Sequence, residues 1–105
     1  EGAYFIGRGE LLTWVNEVFK FGMTRVEECA TGAPYCQFFD ACHPGSIALH
    51  KVNFNARQSY EFVQNYKELQ LGFDRVNLKK GIDVEKLIKA KFQDNLEFLQ
   101  WFKRY

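Results

Sequence analysis

The sequence predicts one compact all-α domain spanning residues 1–105. A length of 105 residues suits a single domain that buries a core of its own. Apolar residues recur with a helical period along almost the whole chain, and the alternating stretch Val52-Asn53-Phe54 is too short to predict a strand. Aromatic residues make up 17% of the chain and include 11 phenylalanines, which predicts a core rich in aromatic rings.

The first predicted helix covers Glu10–Phe21 and is amphipathic. Its apolar residues share one side and its polar residues share the other. The apolar set is Leu11, Trp14, Val15, Val18 and Phe21. We expect Gly22 to end the helix, since glycine readily adopts the left-handed conformation common there. Gly7-Arg8-Gly9 reads as a flexible entry to this helix rather than a dinucleotide loop, because the third glycine and a preceding strand are missing.

Two short helices are predicted next. Thr24 and Glu27 have the spacing of a capping box, in which each side chain bonds the backbone near the other residue. This predicts a short helix that ends near Gly32. Pro34 can open the following helix because its missing N–H is not needed in the first turn. That helix is expected to run to about His43, where Pro44-Gly45 closes it.

The second half of the chain begins with a helical turn and a loop over residues 46–56. Asn55–Gln58 resembles another capping box and predicts the start of a long helix. That helix carries a core stripe made of Phe62, Tyr66, Leu69, Phe73 and Val76. Residues 77–83 form a loop, and Asp83 can cap a short helix that runs through Ile88.

The final helix lies within Lys89–Tyr105 and is unusually aromatic. Its apolar residues cover more than half of a helical wheel, which leaves a narrow polar strip of Gln93, Glu97, Gln100 and Arg104. A membrane-surface helix needs a broad basic face, so this helix is predicted to be buried among others. The large side chains assigned to the core are Trp14, Phe62, Phe73, Trp101 and Phe102.

Charge is unevenly distributed along the chain. The net charge is only +1, but residues 1–50 carry −3 and residues 51–105 carry +4. Five lysines fall within thirteen residues, and Lys51 and Arg57 precede them in sequence. The cluster is Lys79, Lys80, Lys86, Lys89 and Lys91. This pattern predicts one positive face and an acidic partner: nucleic acid, anionic lipid or an acidic protein polymer.

Several other kinds of site are not expected. Three cysteines without a Cys-x-x-Cys pair favour buried free thiols in a reducing compartment over disulfides. Their spacing to His43 and His50 matches no zinc pattern, and nothing indicates a strained nucleophile turn or an oxyanion hole. We therefore expect no metal, no cofactor and no enzymatic activity. No signal peptide or membrane span is predicted, and the start at Glu1 without methionine suggests a fragment of a longer protein.

Four stretches carry a resemblance to a known family: LLTWVNEVF, GAPYCQFFDACHPGSIALHKVNF, NYKELQLGF and KFQDNLEFLQWFKRY. They closely resemble the amino-terminal domain of the end-binding family of microtubule plus-end tracking proteins, and the likeness runs from Leu11 to Tyr105. The resemblance implies a calponin-homology fold without enzymatic activity. It also implies binding to the microtubule lattice between protofilaments, near the exchangeable nucleotide of tubulin, with a preference for growing ends.

The resemblance also implies contact residues and a setting. Lys51, Arg57, Lys80, Lys91 and Gln93 match family positions implicated in tubulin contact, and His50, Lys86 and Lys89 are weaker candidates. The expected partner is tubulin in microtubules, and no membrane or nucleic acid is expected. The expected location is the cytoplasmic microtubule cytoskeleton, including the spindle, where the domain would regulate microtubule dynamics. Dimerisation is expected only through a C-terminal coiled coil that this chain does not contain.

The sequence departs from the family pattern at two positions. His50 stands where the family commonly has a lysine, and Asn53 stands where it has another. Two positive charges are therefore missing when His50 is neutral, which puts the affinity in question but not the fold. Two alternative functions stay open: a calponin-homology module that binds actin or acts as a scaffold, and a nucleic-acid binder that uses Lys79–Lys91.

Overall fold

The structure, a computed structural model, describes residues 7–105, so residues 1–6 of the predicted domain lie outside the described part. Its α-helices are α1 (Arg8–Phe19), α2 (Ala33–Cys42), α3 (Ser59–Arg75), α4 (Val84–Leu87) and α5 (Phe92–Arg104). Two 3-10 helices, Val26–Thr31 and Leu49–Lys51, connect them. Residues 7–105 contain no β-strand, which confirms the predicted all-α class.

The helices pack around α2 and the first 3-10 helix. Helix α3 contacts both of them, and α5 lies against the same 3-10 helix while also touching α1 and α2. Helix α4 packs on α5. Gly32, with φ +84°, is both the last cap of the 3-10 helix and the first cap of α2. A Cβ atom there would lie 3.1 Å from Asn65 and from the Tyr66 ring, so only glycine allows this junction against α3.

The core is aromatic, as the composition predicts. Tyr35 on α2 is fully buried, and its ring centroid lies 4.6 Å from that of Phe98 and 5.3 Å from that of Phe102. Phe38 extends this cluster toward α1, and Phe73 extends it toward α3. Rings in such tilted and offset contacts stabilise a core beyond the area that they bury. The core assignments of Phe73 and Phe102 are therefore confirmed.

Three residues assigned to the core are only half-buried: Trp14, Phe62 and Trp101. Each indole packs on the core while a lysine ammonium covers it from outside. The Lys103 Nζ lies 5.2 Å from the centroid of the Trp14 ring, and the Lys80 Nζ lies 4.9 Å from that of Trp101. A large ring at the core boundary can combine apolar packing with such a cation–π contact. Val76 is also half-buried, and Tyr105 is 46% exposed.

The predicted bounds of α1 are wrong at both ends. The helix begins at Arg8, which places Gly9 inside it, and it ends at Phe19 with Lys20 in the left-handed conformation, φ 60°. It stops before Gly22 because the side chain of Asn16 bonds the backbone of Met23: Nδ2 donates to the carbonyl at 2.8 Å and Oδ1 accepts from N–H at 2.9 Å. Val18 is consequently 56% exposed rather than part of the core.

The first predicted capping box falls on the wrong glutamate. Glu28, and not Glu27, accepts from the backbone N–H groups of Thr24 and Arg25, at 3.1 and 3.0 Å. The Thr24 hydroxyl also donates to this carboxylate, whereas the prediction made it an acceptor. The short helix that follows is a 3-10 helix that stops at Gly32, as expected.

The start of α3 is also shifted. The helix begins at Ser59 after Gln58, so Asn55 does not cap it. Asp83 caps α4 as predicted by accepting from the Lys86 N–H at 3.3 Å, but the helix ends one residue early, at Leu87. Helix α2 ends at Cys42, next to the predicted His43. None of the helices described between residues 7 and 105 is long and apolar enough to cross a membrane.

Two fully buried asparagines join these elements through their side chains. Asn65 on α3 donates to the carbonyls of Thr31 and Asn53, at 2.9 and 3.0 Å, and accepts from the Asn53 N–H at 2.8 Å. Asn95 on α5 donates to the carbonyls of Leu87 and Lys91, both at 3.2 Å.

The Tyr35 hydroxyl donates to the Asn95 Oδ1 at 2.8 Å, so the second asparagine also reaches α2. All of the amide's hydrogen-bonding groups are therefore engaged. A buried amide in an apolar core is tolerated only under this condition.

Asn95→Ala should lower the free energy of unfolding by about 2–4 kcal/mol, because it removes the side-chain hydrogen bonds to the Tyr35 hydroxyl and to the Leu87 and Lys91 carbonyls and opens a small cavity. Tyr35→Phe, which removes one hydroxyl, should cost about 1–2 kcal/mol. Urea unfolding followed by circular dichroism measures both. Asn55→Ala, at an exposed position, is the control and should change stability by less than about 0.5 kcal/mol. An Asn95→Ala protein as stable as this control would contradict the assignment.

Candidate functional site

The residues predicted to contact a partner lie on two stretches of the fold. The first, which we name the Lys51 segment, comprises residues 50–57 and joins the second 3-10 helix to α3. The second, the Lys80 segment, comprises residues 79–93 and includes α4 and the first residues of α5. Each segment is anchored from beneath by one of the buried asparagines.

The backbone of the Lys51 segment is fixed on its inner side. The Asn53 N–H donates to the Asn65 side chain, and the Asn53 carbonyl accepts from the same side chain. The preceding residue, Val52, is buried. Asn53 is one of the two positions at which the family resemblance implies a lysine. Here its amide donates to the Glu61 carboxylate at 3.2 Å, so it supports the segment instead of adding charge to it.

Glu61 closes the outer side of the same segment. Its carboxylate accepts from the backbone N–H groups of Arg57 and Gln58, at 2.8 and 2.9 Å, and thereby caps α3. These backbone hydrogen bonds, with that from the Asn53 amide, hold the pKa of Glu61 below its ordinary value, because each of them stabilises the charged form.

The charged side chains of the Lys51 segment remain exposed. His50, Lys51 and Arg57 all point to solvent. Within residues 7–105, the ion pair described is Arg25–Glu27, at 3.7 Å, and it lies elsewhere. The segment therefore presents two unneutralised positive charges on a fixed backbone.

The Lys80 segment is anchored in the same manner. Asn95 holds the carbonyls of Leu87 and Lys91, which are the two ends of the turn between α4 and α5. Ala90 within this turn has a positive φ of 59°. Lys86, Lys89 and Lys91 are exposed around it, and Lys91 is the N-cap of α5.

Lys80 and Gln93 come together around the indole of Trp101. Besides the Lys80–Trp101 contact, the Gln93 Nε2 donates to the Glu97 Oε2 at 3.0 Å. Both side chains line one shallow cavity whose floor is formed by Trp101. Gln93 is exposed, and its amide oxygen is not used in that hydrogen bond, so it can accept from a partner.

A second cavity, of about 210 Å³, lies on the other side of Lys80. Its charged lining is mixed, with lysines and carboxylates on the same wall: Lys80, Lys86, Asp83, Asp94 and Glu97. Leu87, Phe98 and Trp101 complete it. The surface of the Lys80 segment is therefore not uniformly positive, because the carboxylates line the same cavity as the lysines.

The structure groups only part of the predicted set. Lys80, Lys86 and Gln93 share cavities around Trp101. Lys89 and Lys91 belong to the adjoining turn without lining either cavity. No hydrogen bond, ion pair or ring contact described in residues 7–105 joins the Lys51 segment to the Lys80 segment, so the two are separate contributions to any common surface.

Sequence reasoning missed three residues that shape the site: Asn65, Asn95 and the outer face of Trp101. A signal for the asparagines was present. Asn65 stands four residues before the buried Leu69, and Asn95 stands four before the buried Leu99, so each interrupts a core stripe. A polar amide on such a stripe predicts a buried hydrogen-bonding role.

The cysteines do not form a site among the described residues. Cys29 and Cys36 are buried, and burial raises the pKa of each thiol to about 12, which keeps them protonated. Cys42 is exposed, contrary to the expectation that all three would be buried. No group of three or more His, Cys, Asp or Glu residues between positions 7 and 105 is placed to hold a metal ion.

Comparison with known proteins decides the family. Residues 6–105 match the calponin homology (CH) domain. The chain belongs to the calponin homology domain family. The fold implied by the sequence motifs is thereby confirmed, and Tyr35, Asn65 and Asn95 can be described as interior residues of a CH domain.

Relatives of this CH domain are similar along its full length. Three Arabidopsis thaliana proteins, microtubule-associated protein RP/EB family members 1C, 1A and 1B, are 48%, 47% and 46% identical over all 105 residues. The chain spans 32%, 38% and 36% of their lengths, about a third. These relatives confirm the resemblance to the end-binding family.

A solved structure is similar as well. It is described as "Structural Basis of Microtubule Plus End Tracking by XMAP215, CLIP-170 and EB1". One chain of it is 50% identical to this chain, with a TM-score of 0.89, and the match covers 93% of this chain and 83% of that one.

The hydrogen bonds to Glu61 predict a pH dependence. Because its pKa is lowered on folding, Glu61 contributes stability that is fully present above the ordinary glutamate value of about 4.3 and is lost as the pH falls through the lower, folded value. Urea unfolding of the wild type and of Glu61→Gln, which cannot titrate, should therefore show a stability difference at about pH 6 that narrows toward about pH 3. A difference that stays constant over this range would contradict the role of Glu61.

Proposed function

We propose that this CH domain binds the microtubule lattice. The observation that carries the proposal is the identity of nearly half of all residues, over the whole chain, to three proteins named as microtubule-associated. The description of the similar solved structure, which names microtubule plus end tracking, supports it. Binding of this kind needs no bond-making step, so the proposal includes no catalytic residue.

The proposed contacts are Lys51, Arg57, Lys80, Lys91 and Gln93, with smaller contributions from His50, Lys86 and Lys89. All of them are exposed except Lys80, which is half-buried against Trp101, and this exposure and the anchoring of both segments by buried hydrogen bonds support the assignment. Charges on a fixed backbone lose little conformational freedom when a partner binds.

Charge and hydrogen bonding have different parts in the proposed contact. The lysines and Arg57 attract an acidic polymer, which speeds encounter and makes binding sensitive to salt. A lysine is a point charge and discriminates little between acidic surfaces. Gln93 adds direction, because its amide can both donate and accept while its neighbours Glu97 and Trp101 fix its position.

The finer features of the proposal follow the end-binding family. We place the domain in the groove between protofilaments, with a preference for growing plus ends, where it would regulate microtubule dynamics. The corresponding location is the cytoplasmic microtubule cytoskeleton and, during division, the spindle. Dimerisation would depend on a coiled coil outside this chain.

Co-sedimentation with microtubules tests the contact at Lys80, and the fold offers a matched control. Lys80 and Lys103 each cover an indole of the same domain, so Lys80→Gln and Lys103→Gln remove equivalent charges from equivalent positions. Lys80→Gln should weaken binding about fivefold, which corresponds to a contact of about 1 kcal/mol, and Lys103→Gln should leave it unchanged. Lys80→Glu should abolish pelleting with helicity intact, because like charges across an interface repel.

Equal effects of the two glutamine variants would remove Lys80 from the contact surface. Actin filaments, tested by co-sedimentation, and duplex DNA, tested by gel shift, serve as alternative acidic polymers, each at a low and at a physiological salt concentration. Binding to either one with the same dependence on Lys80 and Gln93 would replace microtubule recognition by general attraction to acidic polymers.

Preference for growing ends is tested with microtubules assembled in different nucleotide states. If Gln93 reads the lattice, wild-type domain should bind one nucleotide state more tightly, and Gln93→Ala should reduce this ratio toward one while retaining most of the charge-dependent affinity. The ratio of dissociation constants, measured at a fixed salt concentration, is the quantity to compare. An unchanged ratio in Gln93→Ala would assign the preference to other residues.

A further inference from the structure

Two large exposed aromatic side chains of this domain flank Arg57 in the sequence, three residues before it and three residues after it. Phe54 is 47% exposed and Tyr60 is 75% exposed, the highest fraction among the large hydrophobic side chains described in residues 7–105. Neither ring takes part in the ring contacts described for the core. A single exposed aromatic residue is ordinary, but two that flank a proposed contact residue need an explanation.

The backbone that carries these rings is rigidly held. Within the turn, the Asn55 N–H donates to the Asn53 side chain at 2.9 Å and the Ala56 N–H donates to the Asn53 carbonyl at 3.3 Å. Glu61 closes the turn from its other end through Arg57 and Gln58. The rings therefore project from a preformed surface, and little backbone freedom is lost when they are covered by a partner.

Phe54 also forms one wall of an open groove of about 390 Å³. The rest of the groove is largely apolar, with Phe21, Gly22, Met23, Ala33 and Pro34, and its polar lining is Glu28 and Thr31. An exposed ring beside an apolar groove provides a place where an apolar side chain of a partner can be buried.

The charges beside the rings indicate the kind of partner. Lys51 and Arg57 are exposed without an ion pair described in residues 7–105, and the nearby Glu61 carboxylate, which its three hydrogen bonds keep charged, offsets only one of these two positive charges. The exposed surface around Phe54 and Tyr60 is thus positive, which fits an acidic protein surface that also offers apolar side chains.

We infer that Phe54 of the Lys51 segment and Tyr60, in the first turn of α3, together form an aromatic contact with an acidic protein surface, which under the proposed function is the microtubule. The inference rests on that proposed function and extends it, since the contacts given by the family resemblance are all charged or polar. Tyrosine and arginine are among the side chains that most often dominate the binding energy of an interface. They supply short-range affinity that salt does not screen, whereas Lys51 and Arg57 supply attraction that salt weakens.

Salt dependence separates the two contributions in a co-sedimentation experiment with microtubules. Tyr60→Ala and Phe54→Ala should each weaken binding about five- to thirty-fold, by a similar factor at low and at physiological salt. Arg57→Gln should weaken binding more at low salt than at physiological salt. Tyr60→Phe, which keeps the ring, should retain most of the affinity.

Leu71→Ala is the matched control, because Leu71 is 45% exposed and lies near the C-terminal end of α3, whereas Tyr60 lies in its first turn. Thermal unfolding of each variant shows whether the fold is kept, and the exposure of Tyr60 makes its variant the decisive one. Binding by Tyr60→Ala and Phe54→Ala equal to that of Leu71→Ala at both salt concentrations would overturn the aromatic contact while leaving the proposed function in place. Failure of the wild type to pellet would overturn both, and an effect at one ring only would remove the other from the contact.

Discussion

The structure depends on the requirement that buried amide groups find hydrogen-bond partners inside the protein. Asn65 and Asn95 meet this requirement by reaching out of their helices to the backbone at Asn53 and to the two ends of the turn between α4 and α5. Each asparagine thereby fixes one of the two segments that carry the exposed basic residues. The stability of the interior and the position of the proposed contacts are consequently set by the same few hydrogen bonds.

Much of this arrangement could be predicted from the sequence. The helical class, the aromatic core around Phe73 and Phe102, and the cap at Asp83 follow from periodicity and local chemistry. Errors arose at helix ends, where particular side-chain hydrogen bonds set the boundary instead of the residues that the sequence pattern indicated. Asn16 ends α1 through a bond to Met23, seven residues away in sequence.

The candidate contact residues came from family resemblance, since charge clustering alone could not choose among Lys79, Lys80, Lys86, Lys89 and Lys91. The sequence could not show which of these residues lie together in the folded domain, as Lys80, Lys86 and Gln93 do around Trp101. Trp101 was assigned to the core from its helical position. Its outer face, however, also contacts the Lys80 ammonium and so belongs to the candidate site. Which side of a boundary residue meets solvent depends on how α5 and the loop before α4 pack, and that is a tertiary property.

The different bonding states of Lys80 and Gln93 have a consequence for the kinetics of any complex. Lys80 rests on an indole and makes no ion pair described in residues 7–105, so it can turn toward a partner with little reorganisation. Gln93 donates to Glu97 and has to exchange this bond if its N–H groups are to face outward. Neighbouring side chains would then control different rate constants. The lysine would mainly set the association rate of the domain, and the rearrangement of the glutamine would mainly set its dissociation rate.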